Sequence, residues 1–108
     1  MKKVKLKLKY DELQALYDFI QSSVGVYPAH LPKSYVWTWR LVQSVMILWS
    51  LKLQQKLVFK KQKPFTMSLD IPTASAFMLF FGWDDTNPAT YLGNTVIRKQ
   101  NEIQQQLA

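Results

Sequence analysis

The sequence predicts an α+β fold in which a two-stranded antiparallel ribbon packs against four helices, in the order β-α-α-β-α-α. Residues 4–20 and residues 65–81 carry the same pattern: apolar residues alternate first and then recur at helical spacing. Short connections make successive elements turn back on one another, so we expect the two strands to be antiparallel neighbours. The prediction is therefore a pseudo-twofold arrangement of repeats at about 3–61 and 64–107.

The apolar positions of the two copies correspond one by one. In the strands, the corresponding residues are Val4, Leu6, Leu8 and Tyr10, and Phe65, Met67, Leu69 and Ile71. In the helices they are Leu13, Ala15, Leu16, Phe19 and Ile20, and Ala74, Ala76, Phe77, Phe80 and Phe81. Because an isolated two-stranded ribbon is marginally stable, its apolar face is expected to pack on the helices.

The first repeat begins with a strand from Lys3 to Tyr10. Asp11 is the expected N-cap of helix 1, which runs to about Ser22. After a proline-containing connection, helix 2 is predicted from Ser34 to Lys60. Its apolar residues form two adjacent stripes, so we expect neighbours on several sides to bury it as the central element of the domain. The stripes are Tyr35, Trp39, Val42, Met46, Trp49 and Leu53, and Trp37, Leu41, Val45 and Leu48.

The second repeat begins with a strand from Phe65 to Ile71, and helix 3 follows from Thr73 to Phe81. Helix 4 is predicted to start at the N-cap Asn87 with Pro88 in its first turn and to run toward Leu107. The pair Gly93-Asn94 is expected to kink or divide this helix. From Arg98 onward the helix is mostly polar, with only Ile103 and Leu107 to bury.

Composition limits the classes of protein that fit. The chain has 108 residues, of which 48% are hydrophobic, enough for one domain with a single core. The absence of cysteine excludes disulfide scaffolds and thiol chemistry and fits a reducing, cytoplasmic location. The basic N-terminus lacks the apolar region of a signal peptide, and polar residues interrupt the most apolar stretch, so no transmembrane segment is expected.

Basic residues cluster beside the two predicted strands. The formal net charge is +7, which favours polyanionic partners. Alternation places the lysines of strand 1 on its outer face, beside the small polar residues of strand 2. The predicted nucleic-acid-binding residues are Lys3, Lys5, Lys7, Lys9, Lys60, Lys61, Lys63, Thr66 and Ser68.

The segment from Val4 to Leu13 resembles the strand and helix start of ribbon-helix-helix proteins, here doubled in one chain. The resemblance is specific over residues 3–16. It implies a ribbon that enters the major groove of DNA, with Lys5, Lys7 and Lys9 facing the groove and Thr66 and Ser68 beside them. The chain departs from the family in its long link between helices 1 and 2, its long apolar helix 2 and its second strand, which lacks a basic face.

Other candidate residues have structural interpretations. Three of the four tryptophans, Trp37, Trp39 and Trp49, lie in helix 2 and are expected to pack in the core or an interface. Asp84 and Asp85 are expected to serve a turn, since two carboxylates supply too few oxygens for a divalent cation. His30 is the sole histidine, so neither a zinc site nor a nucleophilic relay can form around it.

A binding protein is therefore expected, with no enzymatic activity, no cofactor, no metal and no small-molecule ligand. The leading hypothesis is association with nucleic acid through the ribbon lysines. One alternative is a structural or assembly protein, for example of a phage or mobile element, whose lysines only keep the strand soluble and block edge-to-edge pairing. Another is attachment to an acidic membrane surface. Because helix 2 is so apolar, we also expect a homodimer or larger assembly that buries part of helix 2, 3 or 4.

Overall fold

The computed structural model describes residues 3–58, 64–83 and 90–107. Its elements are strand β1 (Val4–Leu8), helix α1 (Tyr10–Ser23), a 3-10 turn (Lys33–Tyr35), helix α2 (Val36–Leu57), strand β2 (Phe65–Leu69), helix α3 (Ile71–Gly82) and helix α4 (Tyr91–Leu107). The α+β class and the order of the two strands and four helices are as predicted. The 3-10 turn before α2 is an addition to the prediction.

The strands pair as antiparallel neighbours, which confirms the predicted ribbon. Val4 lies opposite Leu69, Leu6 opposite Met67, and Leu8 opposite Phe65. These residues face the helices, and all but the half-buried Phe65 are buried. Because side chains alternate along a strand, the same register turns the lysines of β1 outward.

The core lies between the inner face of the ribbon and the four helices. Leu13, Leu16 and Ile20 of α1 are fully buried, and α3 contributes Phe77 and Phe81, whose ring centroids are 4.5 Å apart. Each of α2 and α4 packs against both α1 and α3, and α4 also lies along β1. The strands and the two helices that follow them thus form the centre of the domain.

A single capping residue separates each strand from the helix that follows it. In α3 the side chain of Asp70 accepts a hydrogen bond from the Thr73 N–H at 2.8 Å. In α1 the N-cap is Lys9, not Asp11, and the prediction of Asp11 was wrong. The Glu12 carboxylate accepts a hydrogen bond from the Lys9 N–H at 2.8 Å, which starts the helix at Tyr10. Both strands therefore end earlier than predicted, at Leu8 and Leu69.

Helix α2 is buried along one stripe only, which corrects the prediction of burial on several sides. The buried apolar residues are Trp39, Val42, Met46, Trp49 and Leu53. Tyr35, predicted in that stripe, lies in the 3-10 turn and is exposed. In the other stripe Trp37, Leu41 and Leu48 are exposed and Val45 is half-buried. Helices α1 and α3 make the main contacts along this helix, and they cover one side of it.

Helix α4 is continuous through Gly93 and Asn94, so the predicted kink or division is absent. Ile103 is fully buried as predicted, whereas Leu107 is 39% exposed. The predicted start of this helix at Asn87 and Pro88 lies outside the described residues, as do Asp84, Asp85 and the last predicted residue of helix 2, Lys60.

Candidate nucleic-acid interface

The outer face of the ribbon is a row of cations beside two hydroxyl groups. Lys5 lies opposite Ser68 and Lys7 opposite Thr66, and all four are exposed. Lys3 and Lys9, immediately outside β1, are also exposed. We call the set formed by Lys3, Lys5, Lys7, Lys9, Thr66 and Ser68 the lysine face. Since neither strand contains an aspartate or glutamate, no carboxylate within the strands neutralises this face.

Helix α4 covers the edge of β1 that faces away from β2. The Gln106 side chain accepts a hydrogen bond from the Lys5 N–H and donates one to the Lys5 carbonyl oxygen, both at 2.7 Å. The Lys99 ammonium donates to the Lys7 carbonyl oxygen at 2.5 Å. These side chains satisfy backbone groups that a neighbouring strand would otherwise pair with, so α4 protects this edge.

The opposite edge of the ribbon belongs to β2. Because the backbone groups of Lys5 and Lys7 point away from β2, antiparallel geometry makes those of Ser68 and Thr66 point away from β1. Within the described residues, neither Thr66 nor Ser68 makes a hydrogen bond to a helix. The lysines therefore lie on the strand whose edge is covered, and the strand with the open edge carries none.

A buried carboxylate fixes the position of α4 beside β1. Glu12 is 1% exposed, and its Oε2 lies 2.8 Å from the Arg98 Nη2. This contact is an ion pair without hydrogen-bond alignment, since Oε2 accepts no hydrogen bond among the described residues. The Lys99 Nζ lies 3.6 Å from the Glu12 Oε1 and 2.8 Å from the Glu102 Oε2. Glu12 thus joins the start of α1, the end of β1 and the middle of α4.

The recess between β1 and α4 is mixed in charge. Lys7, Lys9 and Arg98 line it, and so do Glu12 and Glu102. The two carboxylates neutralise the buried Lys99 and part of the Arg98 charge, so the recess is a poor site for an anion. The exposed lysine face above it carries the unpaired positive charge.

Two groups near the ends of the ribbon have shifted pKa values. Hydrogen bonds from Thr73 lower the pKa of the Asp70 carboxyl below its ordinary value of 3.8, because they stabilise the charged form. Partial desolvation raises the pKa of the Tyr91 hydroxyl, although the residue is 52% exposed, and the nearby Glu12 carboxylate contributes to the same effect. Asp70 therefore remains charged close to the end of the lysine face, where it caps α3.

The remaining predicted residues divide into three groups. Lys60, Lys61 and Lys63 lie outside the described residues. Trp39 and Trp49 are buried, as expected of core tryptophans, whereas Trp37 is 76% exposed and lies outside the core, so an interface is the predicted location that is left for it. His30 is exposed. Over residues 3–58, 64–83 and 90–107, no three His, Asp or Glu side chains come close enough to hold a metal ion.

Sequence reasoning missed the α4 side chains that support the ribbon, namely Arg98, Lys99 and Gln106. The polar end of helix 4 gave no sign of these contacts, since Gln106 is 101 residues from Lys5. The one available signal was Glu12, an acidic residue in the first turn of helix 1, where negative charge suits the helix dipole. Its burial and its ion pairs depend on the tertiary fold.

No protein-family model, no curated protein and no solved structure matches the chain. Within the described part of the chain, every helix is too short or too polar to cross a membrane. The geometry of the ribbon and its surroundings is therefore the basis for assigning a function.

Proposed function

We propose that this protein binds duplex DNA non-enzymatically, by placing the lysine face of its ribbon in the major groove. The observation that carries the proposal is the register of the ribbon, which sets Lys5 beside Ser68 and Lys7 beside Thr66 on a face that no helix of the described chain covers. A two-stranded ribbon fits the width of the major groove, and alternate residues on its outer face reach phosphates and base edges.

Each kind of side chain on this face has a distinct part in binding. The lysine ammonium groups neutralise phosphates, which supplies affinity and positions the protein without selecting a sequence. The hydroxyl groups of Thr66 and Ser68 can donate to or accept from base edges. The resemblance of residues 3–16 to ribbon-helix-helix proteins supports the same mode. An A-form RNA duplex is a weaker candidate, because its major groove is too narrow and deep for side chains to read.

The covered edge of β1 weakens the explanation that the lysines only prevent edge-to-edge pairing. Gln106 and Lys99 already bind the backbone of β1 at that edge. A lysine row that served edge protection would be needed on β2, whose outward-pointing backbone groups at Thr66 and Ser68 lack such partners among the described residues. The lysines are on the other strand, so a role on the outer face of the ribbon accounts better for their position.

The test measures the affinity of the protein for a DNA duplex as a function of salt concentration. If four lysines displace counterions, the slope of log affinity against log salt is about −3.6. Changing Lys5, Lys7 and Lys9 together to glutamine reduces the expected slope to about −0.9 and weakens binding equally on duplexes of different sequence. The melting temperature should change little, because these side chains are exposed.

A matched control removes the same charge elsewhere. Lys33, Lys52 and Lys56 are exposed and lie outside the ribbon, so their joint change to glutamine lowers the net charge equally. This control should keep the slope near its original value. Absence of DNA binding at about 50 mM salt, or equal losses in the two triple variants, would refute the ribbon as the binding surface. Stronger retention by RNA or by anionic vesicles than by duplex DNA would also refute the proposal.

A further inference from the structure

The side of α2 that faces away from the core carries a regular row of exposed residues, which we call the outer stripe. Its members are Trp37, Leu41, Ser44, Leu48, Leu51, Gln55 and Val58. The apolar members are 76%, 68%, 65%, 52% and 74% exposed in that order. Val58 follows the last residue of α2 with helical backbone angles, so the row extends along the whole helix.

The spacing within the outer stripe is alternately four and three residues. An average period of 3.5 residues is typical of the contact seam of a coiled coil, in which the side chains of one helix pack between those of another. The exposed apolar side chains of the stripe together present about 400 Å², taking roughly 100 Å² for a complete aliphatic side chain and about 200 Å² for tryptophan. A continuous apolar surface of this size on a single domain is typical of an interaction site.

We propose that the outer stripe binds the outer stripe of a second copy of this chain, with the two α2 helices antiparallel about a twofold axis. One register places apolar residues opposite apolar residues and polar residues opposite polar residues. Leu48 lies opposite the partner's Leu51, and Leu41 lies opposite the partner's Val58. The two polar members of the stripe also meet, because Ser44 lies opposite the partner's Gln55.

Other registers lose this match. A shift of one heptad brings Ser44 against the partner's Leu48 and Trp37 against the partner's Gln55, so each polar side chain faces an apolar one. A polar residue within an apolar seam is the usual means of fixing register, because it is buried favourably only against another polar group. The Ser44 hydroxyl already donates to the Arg40 carbonyl oxygen at 2.9 Å, but its oxygen can still accept from the partner's Gln55 amide. Gln55 is therefore the residue that selects the antiparallel register in which it meets Ser44.

Charge favours the antiparallel direction over the parallel one. Helix α2 carries Arg40, Lys52 and Lys56 and contains no acidic residue. A parallel, in-register pair would place each cation level with its own copy. With a rise of 1.5 Å per residue, the antiparallel register offsets the copies of these cations along the axis by about 28, 8 and 20 Å, respectively, and the nearest pair, Arg40 and the partner's Lys56, by about 4.5 Å. It also opposes the two helix dipoles, so that each positive end lies near a negative end.

The outer stripe supplies a substantial part of the surface that a dimer needs. A standard interface buries about 800 Å² on each partner. The four apolar members that pair with one another supply about 260 Å² of this, roughly a third. Trp37 lies opposite position 62, outside the described residues, and the polar members and the flanking residues Ile47, Gln54 and Lys52 add to the contact. A twofold interface uses the same surface on both copies and closes on itself, so no further copies are recruited.

Cysteine cross-linking tests both the partner and the register, since the chain has no cysteine of its own. The variants are Ser44→Cys, Gln55→Cys and the double variant, each oxidised mildly and separated on a non-reducing gel. In the proposed register the thiol introduced at position 44 faces the thiol at position 55 of the partner, so the double variant should form covalent dimers at least about ten times faster than either single variant. Within one copy the two positions are about 16 Å apart along the helix, which prevents an internal disulfide.

Each alternative arrangement gives a different outcome. Efficient cross-linking of Ser44→Cys alone indicates a parallel pair and overturns the proposed orientation. If the double variant cross-links no faster than a variant with cysteines at the exposed positions Gln21 and Asn101, the α2 interface is absent and the proposal is wrong.

Sedimentation equilibrium provides an independent measurement. The unaltered protein should sediment as a dimer at about 50 µM, whereas Leu48→Glu/Leu51→Glu should give the 12.7 kDa monomer. Both leucines are more than half exposed, so the change leaves the core of each copy intact. The control Ser75→Glu/Leu79→Glu adds the same charge on α3 and should remain dimeric. A monomeric unaltered protein, or a dimer that survives the leucine changes, would overturn the proposal.

Discussion

The buried carboxylate of Glu12 makes a quantitative prediction about stability. Glu12→Gln keeps an oxygen that can accept the Lys9 N–H hydrogen bond but removes the negative charge between Arg98 and Lys99. Removing one partner of a buried ion pair costs about 3–5 kcal/mol. The cost here should be about 2–3 kcal/mol, because the Arg98 side chain is 47% exposed and Lys99 retains Glu102 at 2.8 Å.

This loss is large for a domain of this size. With an unfolding entropy of about 2.1 cal/mol/K per residue, a loss of that size lowers the melting temperature of a 108-residue chain by about 10 °C. Urea unfolding followed by far-ultraviolet circular dichroism measures the free energy of unfolding, and a thermal scan measures the melting temperature. The slope of the urea transition should not change, because the surface exposed on unfolding stays the same.

Glu102→Gln is the control. It removes the half-buried carboxylate of α4 that pairs with the same lysine, Lys99. It should cost less than about 1 kcal/mol. Equal effects of the two substitutions, or a loss of less than about 1 kcal/mol for Glu12→Gln, would refute the view that Glu12 holds α4 against β1.

Three further predictions concern the α3 cap, the core and the covered ribbon edge. Asp70→Ala should lower the free energy of unfolding by about 1 kcal/mol at neutral pH. Because the pKa of Asp70 is lowered in the fold, the stability that its charge contributes is complete above the ordinary pKa of 3.8 and is lost as the pH falls through the lowered value. Urea unfolding between pH 2 and 7 measures this loss. Phe77→Ala should cost about 3–5 kcal/mol in the same assay, whereas Leu79→Ala, two residues along and 41% exposed, should cost less than about 1 kcal/mol. Gln106→Ala should speed amide hydrogen exchange at Lys5 with little change in global stability, and unchanged exchange would contradict the edge contact.

The sequence was sufficient for the ribbon and the two helices that follow its strands. Strand pairing requires apolar residues at every second position, and a helix requires them at every third or fourth, so the change of period located both β1–α1 and β2–α3. The alternation also fixed which residues of the ribbon face the core and which face outward, because a shift of one residue would bury the lysines. The lysine face was predictable for this reason.

Only the tertiary structure decided how the helices meet the ribbon and which apolar surface stays exposed. In helix α2 the buried stripe and the outer stripe both alternate spacings of four and three residues, and periodicity does not distinguish the stripe that α1 and α3 cover from the one that remains exposed. The contacts of Glu12 with Arg98 and of Gln106 with Lys5 join residues far apart in the chain. Local sequence records the secondary structure of each element, but the burial of a charge or of a strand edge depends on which distant side chains the fold brings beside it.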